Sequence, residues 1–285
     1  MSAGTDLPFS PELLARIPDK KGVFSDDRQT IINDACFGYR YITPYLDALA
    51  PGARVLEVGA GPCLLLAQLA KDYHALHIEG IEPCGGGFGY FGEYYRSLQD
   101  VAPFRLHDGG YETFQGEGQY DLIYAINVFE HLPDWQDFLM FVKRKLSAQG
   151  KCIILCPNYG FPYEVHFGIP LVFTPRLTYA IFNRYITRFE KQNNCHGLWD
   201  SLNFVKWSKV KRSARRLDLA VRFHSRIVED MVDRLDGDRE FARRQKWLGV
   251  PARILKRTGL IKLLHLNVVQ RIHPYMFLEF QKASS

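Results

Sequence analysis

The chain's six cysteines, Cys36, Cys63, Cys84, Cys152, Cys156 and Cys195, form no CxxC pair and no zinc-like spacing, which argues against a disulfide framework and a structural metal site. They are expected as reduced, mostly buried thiols. No apolar run approaches the roughly 18 to 20 residues needed to cross a bilayer, and no apolar segment of the signal type follows Met1. A cytoplasmic location is therefore expected, with peripheral contact at the inner face of a membrane left open. Also missing is a Gly-Lys-Ser/Thr tripeptide after the one strand-like run that ends in a glycine turn, so nucleotide hydrolysis of the P-loop kind is not expected.

What is present is an ordinary globular composition, 47% hydrophobic and 24% charged over 285 residues, enough for one large domain or a domain with an insertion. The net charge of +5 hides an asymmetry. Residues 1–150 carry 12 Lys+Arg against 20 Asp+Glu, and residues 151–285 carry 24 against 11. The second half is thus suited to an anionic partner: phosphate groups, a membrane surface or nucleic acid.

Residues 1–24, with Pro8, Pro11 and Pro18, read as an arm. From Ser25, helical spacing runs to the Ala50-Pro51-Gly52 stop. Short apolar runs then alternate with helix-like stretches: RVLEV, CLLLAQLAKDY, HIEGIE, PFRLHD, YDLIYAIN, DFLMFVKRKL and KCIILC. This is the pattern of a doubly wound α/β core with a mostly parallel sheet, spanning residues 25–156. Residues 157–250 break the rhythm and are expected as a mainly helical, basic lid inserted after the fifth strand. Residues 251–285 are expected to complete the sheet, as a helix, a Thr-Gly turn, a strand over LIKLLHLNVV and a last strand over YMFLEFQK.

The most informative run is VLEVGAGPCLLLAQLA. A strand carrying Glu57 turns through Gly59-Ala60-Gly61 into an apolar helix, the geometry that lets a ligand lie against bare backbone at the carboxyl end of a parallel strand. A dinucleotide site would want a third glycine where Leu64 stands, and no acid at Glu57. Glu57 suits a cofactor bearing an ammonium group. Glu82, at the end of the second strand, is placed to accept from ribose hydroxyls, and Asp108-Gly109 follows the third strand. Asn127 and then Glu130-His131-Leu132-Pro133 follow the fourth.

Taken together, LEVGAG, IEP, LHDG and NVFEHLPD resemble the class I methyltransferases that use S-adenosyl-L-methionine, nearest the branch of quinone-biosynthesis and other small-molecule enzymes. The resemblance covers about residues 35–156. It implies a seven-stranded sheet, with Glu57, Gly59, Ala60 and Gly61 at the methionine end of the cofactor, Glu82 at the ribose, Asp108 with Gly109 at the adenine, and Asn127 nearby. Two departures are Cys63, where many relatives have glycine, and PCGGGFGYFGEYY. Gly85, Gly86, Gly87 and Gly89 weaken a helix start by roughly 1 kcal/mol each, so the second helix is expected only near Phe91.

Methyl transfer to a hydroxyl requires a group that removes a proton. His131, just past strand four, and Glu164 with His166, just past strand five in PNYGFPYEVHFGIPL, are the candidates. Each has a plainer structural role open to it: Glu130 and His131 in capping the next helix or shaping a pocket, Glu164 and His166 in anchoring the lid. No metal is expected, because the spacing of Glu130, His131, Glu164 and His166 does not match that of metal-dependent RNA 2'-O-methyltransferases. In VKWSKVKRSARRLDLAVRFHSRIVEDMVDRL the residues Leu217, Val221, His224, Met231 and Leu235 fall on one helical face, with His224 as a core residue. The basic run Lys206–Arg216 is either a solvated face or a dock for a phosphate-bearing acceptor or an anionic membrane.

The expected function is O-methylation of a small or lipid-linked acceptor. The alternative is an RNA-modifying methyltransferase, which is weakened by the absence of Asn/Asp-Pro-Pro-Tyr/Phe and of a nucleophilic cysteine after strand four.

Overall fold

A computed structural model describes residues 7–17, 27–83, 91–193, 195–238, 241–242 and 246–283. Cys84 and the glycines of the PCGGGFGY segment lie outside these. Among the described residues no helix is long and apolar enough to cross a membrane. The five described cysteines form no disulfide with one another, and three of them are buried.

Among the described residues nine strands form: β1 (Arg54–Val58), β2 (His77–Glu82), β3 (Arg105–Asp108), β4 (Tyr120–Ile126), β5 (Leu146–Pro157), β6 (Tyr163–Glu164), β7 (Ile169–Pro170), β8 (Leu219–Phe223) and β9 (Tyr275–Lys282). Seven make one sheet of order β3-β2-β1-β4-β5-β9-β8, and β6 and β7 make a small hairpin. β1 runs parallel to β2 and to β4, and β2 parallel to β3, whereas β9 is antiparallel to both β5 and β8. The chain divides into two compact units, Met1–Ala125 with Arg144–Lys151, and Ile126–Lys143 with Cys152–Ser285.

In the first unit, α1 (Pro11–Arg16), α2 (Asp27–Leu46), α3 (Leu64–Asp72) and α4 (Phe91–Gln99) accompany β1 to β3. The helix after β2 is described from Phe91 on, and the glycine-rich residues on which its expected start turns lie outside the described residues. Helix α3 comes close to β2 because residue 80 is glycine. A Cβ there would stand 2.7 Å from Leu66 Cδ2 and 3.2 Å from the Ala60 Cβ. Gly80→Ala is expected to cost about 1–3 kcal/mol through overpacking, measurable by urea unfolding.

In the second unit, β5 is followed by an aromatic core of Tyr159, Phe167, Ile169, Ile186, Trp199 and Leu202, which binds the β6–β7 hairpin to α6 (Pro175–Gln192) and α7 (Leu198–Ser201). Helix α6 starts where Thr174 accepts from the Leu177 N–H. Two expectations for this half need correction. The run read as one helix from Val205 to Leu235 is helix α8 (Trp207–Arg216), strand β8 and helix α9 (Ile227–Gly237). Asp218, at φ 50°, breaks the helix, and LAVRF then alternates, with Leu219 and Phe223 buried and Ala220 and Arg222 exposed. His224 therefore sits at the end of a strand, stacked on Phe277 with centroids 4.3 Å apart and 3.1 Å from Glu279 Oε2. Conversely, LIKLLHLNVV is no strand but two 3₁₀ segments, Leu260–His265 and Asn267–Ile272. Short apolar runs of this kind fit a strand or a helical turn equally well by period alone, and β8 takes the sheet position assigned to it.

Candidate functional site

The first unit holds the turn after β1. The Gly59 and Ala60 N–H groups both donate to the Ile81 carbonyl, at 2.8 and 3.1 Å. The chain then passes through positive φ at Gly59 (78°), Gly61 (50°) and Cys63 (62°) before α3 starts. Only glycine takes such angles without strain, so the first two positions are fixed by backbone geometry; Cys63 carries the cost of a side chain there.

Glu57, at the β1 end, is 4% exposed, and its Oε2 has no hydrogen-bond partner among the described residues. Burial pushes its carboxyl up to about 8, with Tyr124 nearby lowering it and Glu82 adding repulsion. A buried, unpaired carboxyl oxygen two residues before a glycine turn fits a cation with N–H donors. Glu82, buried at the β2 end, accepts from the Gly61 N–H at 2.9 Å. Burial raises it to about 7, opposed by that hydrogen bond and reinforced by Asp108. Asp108 pairs in register with Glu82 and is exposed, and Gly109, at φ 140°, donates to the Glu82 carbonyl at 3.3 Å. Glu57, Gly59, Ala60, Gly61, Glu82, Asp108 and Gly109 thus lie along the carboxyl ends of three adjacent strands. Asn127 belongs to the second unit. It sits at φ 54°, donates from its N–H to the Leu155 carbonyl at 2.8 Å, and accepts from the Tyr275 hydroxyl at 2.5 Å.

The second unit gathers Glu130, His131, Glu164 and His166. Glu130 and His131 lie in a 3₁₀ turn, Phe129–His131. Asn203 clamps that turn: its side-chain amide donates to the Phe129 and Leu132 carbonyls at 2.7 and 2.9 Å, and its N–H to the Glu130 carbonyl at 2.8 Å. The capping role suggested for Glu130 belongs instead to Asp134, which accepts from the Gln136 and Asp137 N–H groups ahead of helix α5 (Trp135–Lys145). Glu130 is fully buried, and neither of its carboxyl oxygens has a hydrogen-bond partner among the described residues. Burial lifts it to about 7, with His166 nearby pulling the other way.

Glu164 is also fully buried, but it is saturated. It accepts from Tyr159 OH (3.2 Å), the His166 N–H (3.1 Å), His166 Nδ1 (2.6 Å) and the Phe167 N–H (2.7 Å). It therefore orients His166. The His131 ring stands 5.2 Å from that of His166, centroid to centroid, and its Nδ1 lies 2.9 Å from Ser201 Oγ. Burial, and secondarily His166, press the His131 imidazole down to about 3, which keeps it neutral.

Sequence reasoning singled out His131, Glu164 and His166 but not Ser201, which contacts His131, nor Asn203, which clamps the 129–132 turn, nor the unpaired state of Glu130. Nothing local marks Ser201 or Asn203, because their partners lie about 70 residues away.

A seven-stranded sheet with an acid-glycine turn after β1 and acids after β2 and β3 defines the class: a class I, S-adenosylmethionine-dependent methyltransferase. The chain belongs to the methyltransferase-domain family, whose model matches residues 32–203. It is 36% identical over 219 residues to the uncharacterised protein Rv1509 of Mycobacterium tuberculosis, covering 75% of this chain and 74% of that one. Among solved structures it resembles mycolic acid cyclopropane synthase CmaA1, complexed with S-adenosylhomocysteine and CTAB (TM-score 0.54, 18% identity, 96% and 94% of the two chains). It also resembles a putative sarcosine dimethylglycine methyltransferase from Galdieria sulphuraria (TM-score 0.52, 16% identity, 94% and 92%). A third likeness is to phosphoethanolamine N-methyltransferase 2 of Haemonchus contortus (TM-score 0.52, 15% identity, 87% of this chain). This chain spans about half of that enzyme's chain, 53%. At these identities the likenesses concern the fold.

Proposed function

We propose that the chain binds S-adenosylmethionine on the carboxyl ends of β1 to β3 and O-methylates a lipid-linked, phosphate-bearing acceptor held by the second unit. The observation that carries the cofactor assignment is the unpaired Oε2 of buried Glu57 ahead of the positive-φ glycine turn. Glu57 accepts from the cofactor's ammonium, Glu82 from its ribose hydroxyls and Asp108 from its adenine side. The cofactor supplies an electrophilic methyl group on a sulfonium. The protein's own work is to position an acceptor hydroxyl and to take up its proton, a task for His166, oriented by Glu164, with Glu130 and His131 beside it.

The acceptor class rests on a cavity of about 620 Å³ in the second unit. It is lined by Lys211, Arg212, Arg215 and Arg271 together with Trp207 and Val268. Val268 is 78% exposed, and Leu260, Leu263 and Ile272 on the two 3₁₀ segments and Leu266 between them are exposed too. Cations beside an apolar rim suit an anionic headgroup with an apolar tail, and the same surface suits peripheral contact with an anionic membrane.

The test incubates the protein with methyl-labelled S-adenosylmethionine and either a cellular lipid extract or purified RNA. Alkali-stable label in a phosphate-bearing lipid is expected. Label in RNA alone would replace the lipid reading with the RNA-modifying one.

The cradle also implies a pH dependence. Glu57 and Glu82 stand at about 8 and 7 in the ligand-free protein, and a bound cation favours their ionised forms, so binding releases protons. Affinity for S-adenosylmethionine should therefore rise from pH 6 to pH 8.5 and level off above. Calorimetry at pH 7 in two buffers of different ionisation enthalpy should show net proton release; a flat profile with no release would contradict it.

A further inference from the structure

Glu130, His131 and His166 come from two stretches of chain, yet each offers one ligand atom and the three atoms lie within 4.8 Å of one another. The surrounding hydrogen bonds determine which ring nitrogen each histidine presents. Ser201 Oγ donates its proton to the Leu198 carbonyl at 2.7 Å, so toward His131 it can only accept, from Nδ1–H. Glu164, which already accepts two backbone N–H groups and a tyrosine hydroxyl, accepts likewise from His166 Nδ1–H. Both imidazoles therefore carry their proton on Nδ1 and their lone pair on Nε2. Such outer partners are what holds metal-ligating histidines in the correct tautomer and orientation. The third member, Glu130, is fully buried and lacks a hydrogen-bond partner for either carboxyl oxygen among the described residues. A buried carboxylate left in that state is costly, and a cation between it and the two rings removes the cost.

We propose that Glu130, His131 and His166 bind one divalent cation of the zinc type, with Ser201 and Glu164 fixing the two histidines. Two imidazoles and one carboxylate leave at least one coordination position open, as in catalytic rather than structural sites. The imidazoles favour Zn²⁺ over Ca²⁺ or Mg²⁺, which take oxygen ligands. Bonds of about 2.0–2.1 Å would put tetrahedral donor atoms about 3.4 Å apart, so the three side chains need to close by little more than an ångström. With the cation bound, the Nε2 lone pairs would no longer take the proton directly, and a hydroxyl in the open position would instead lose it more readily to water. That use of the metal rests on the O-methylation reading above, whereas the binding of the cation does not.

The test titrates Co²⁺ into chelator-treated full-length protein, followed by visible absorption, and then displaces it with Zn²⁺. One equivalent with the intense absorption of a low-symmetry cobalt site is expected. His166→Ala and Glu130→Gln should each weaken binding by more than about 100-fold, and Glu164→Gln by about 10- to 100-fold. Circular dichroism and S-adenosylhomocysteine affinity serve as fold controls. No cobalt band from folded protein, or a band unchanged in both His166→Ala and Glu130→Gln, would overturn the site. Cobalt bound as expected by a protein that transfers no methyl group would fault the functional reading and uphold the site.

Discussion

Glu57→Gln should weaken S-adenosylmethionine binding by about 30- to 100-fold, the equivalent of roughly 2 to 3 kcal/mol for a charge-assisted hydrogen bond in a site shielded from water. The substitution keeps the side chain's size and removes only its capacity to be negative. Because burial already holds the Glu57 carboxyl at about 8 in the ligand-free protein, the folded apo state near pH 7 gains little from its charge. The variant should therefore melt close to the parent when free, while losing most of the stabilisation the parent gains from cofactor. That split separates a binding role from a structural one. Glutamine causing an equal loss of stability with and without ligand would assign Glu57 to the fold instead.

The second large effect is on turnover. His166→Asn should lower kcat by about 100- to 1,000-fold, within the range contributed by a positioned proton-transfer group, and leave the dissociation constant of S-adenosylhomocysteine unchanged. Asparagine can still donate to Glu164, so the β6–β7 hairpin and the aromatic core around Phe167 stay in place. Glu164→Gln should produce a smaller fall, since Glu164 acts through His166. If His166→Asn turned over at the parental rate, the exit of β5 would be a wall of the pocket and no more.

The strands and the glycine turn of the first unit were legible in the sequence because their pattern is written locally. The acid, the glycines and the strand they end all lie in VLEVGAG, and the acids after β2 and β3 fall at positions that a parallel sheet brings side by side. The second half was less legible for two physical reasons. LAVRF is five residues long and is flanked by two helices, so a helical stripe could be drawn straight through it; only the left-handed turn at Asp218 and the pairing with β9 make it a strand. TGLIKLLHLNVV has the composition of a strand, but Gly259 at φ 73° leads into 3₁₀ turns, and β8 already lies against β9. In the candidate site, His131, Glu164 and His166 were picked out by residue type and by their position past strand ends. Glu130 and His131 were given capping or pocket-shaping as their plainer roles, and the cap is Asp134, four residues after Glu130 in the same run. The convergence of Glu130 with both histidines depends on how Asn203 and Ser201 return to the 129–132 turn, which no local spacing records.

Calorimetric titration of S-adenosylhomocysteine into the parent protein and into Glu82→Ala tests the central claim most directly. The expected result is a single site in the parent and an affinity more than tenfold weaker in the variant, through loss of the ribose contact and of the Gly61 N–H partner. No binding to the parent, or an affinity the same in both proteins, would contradict it.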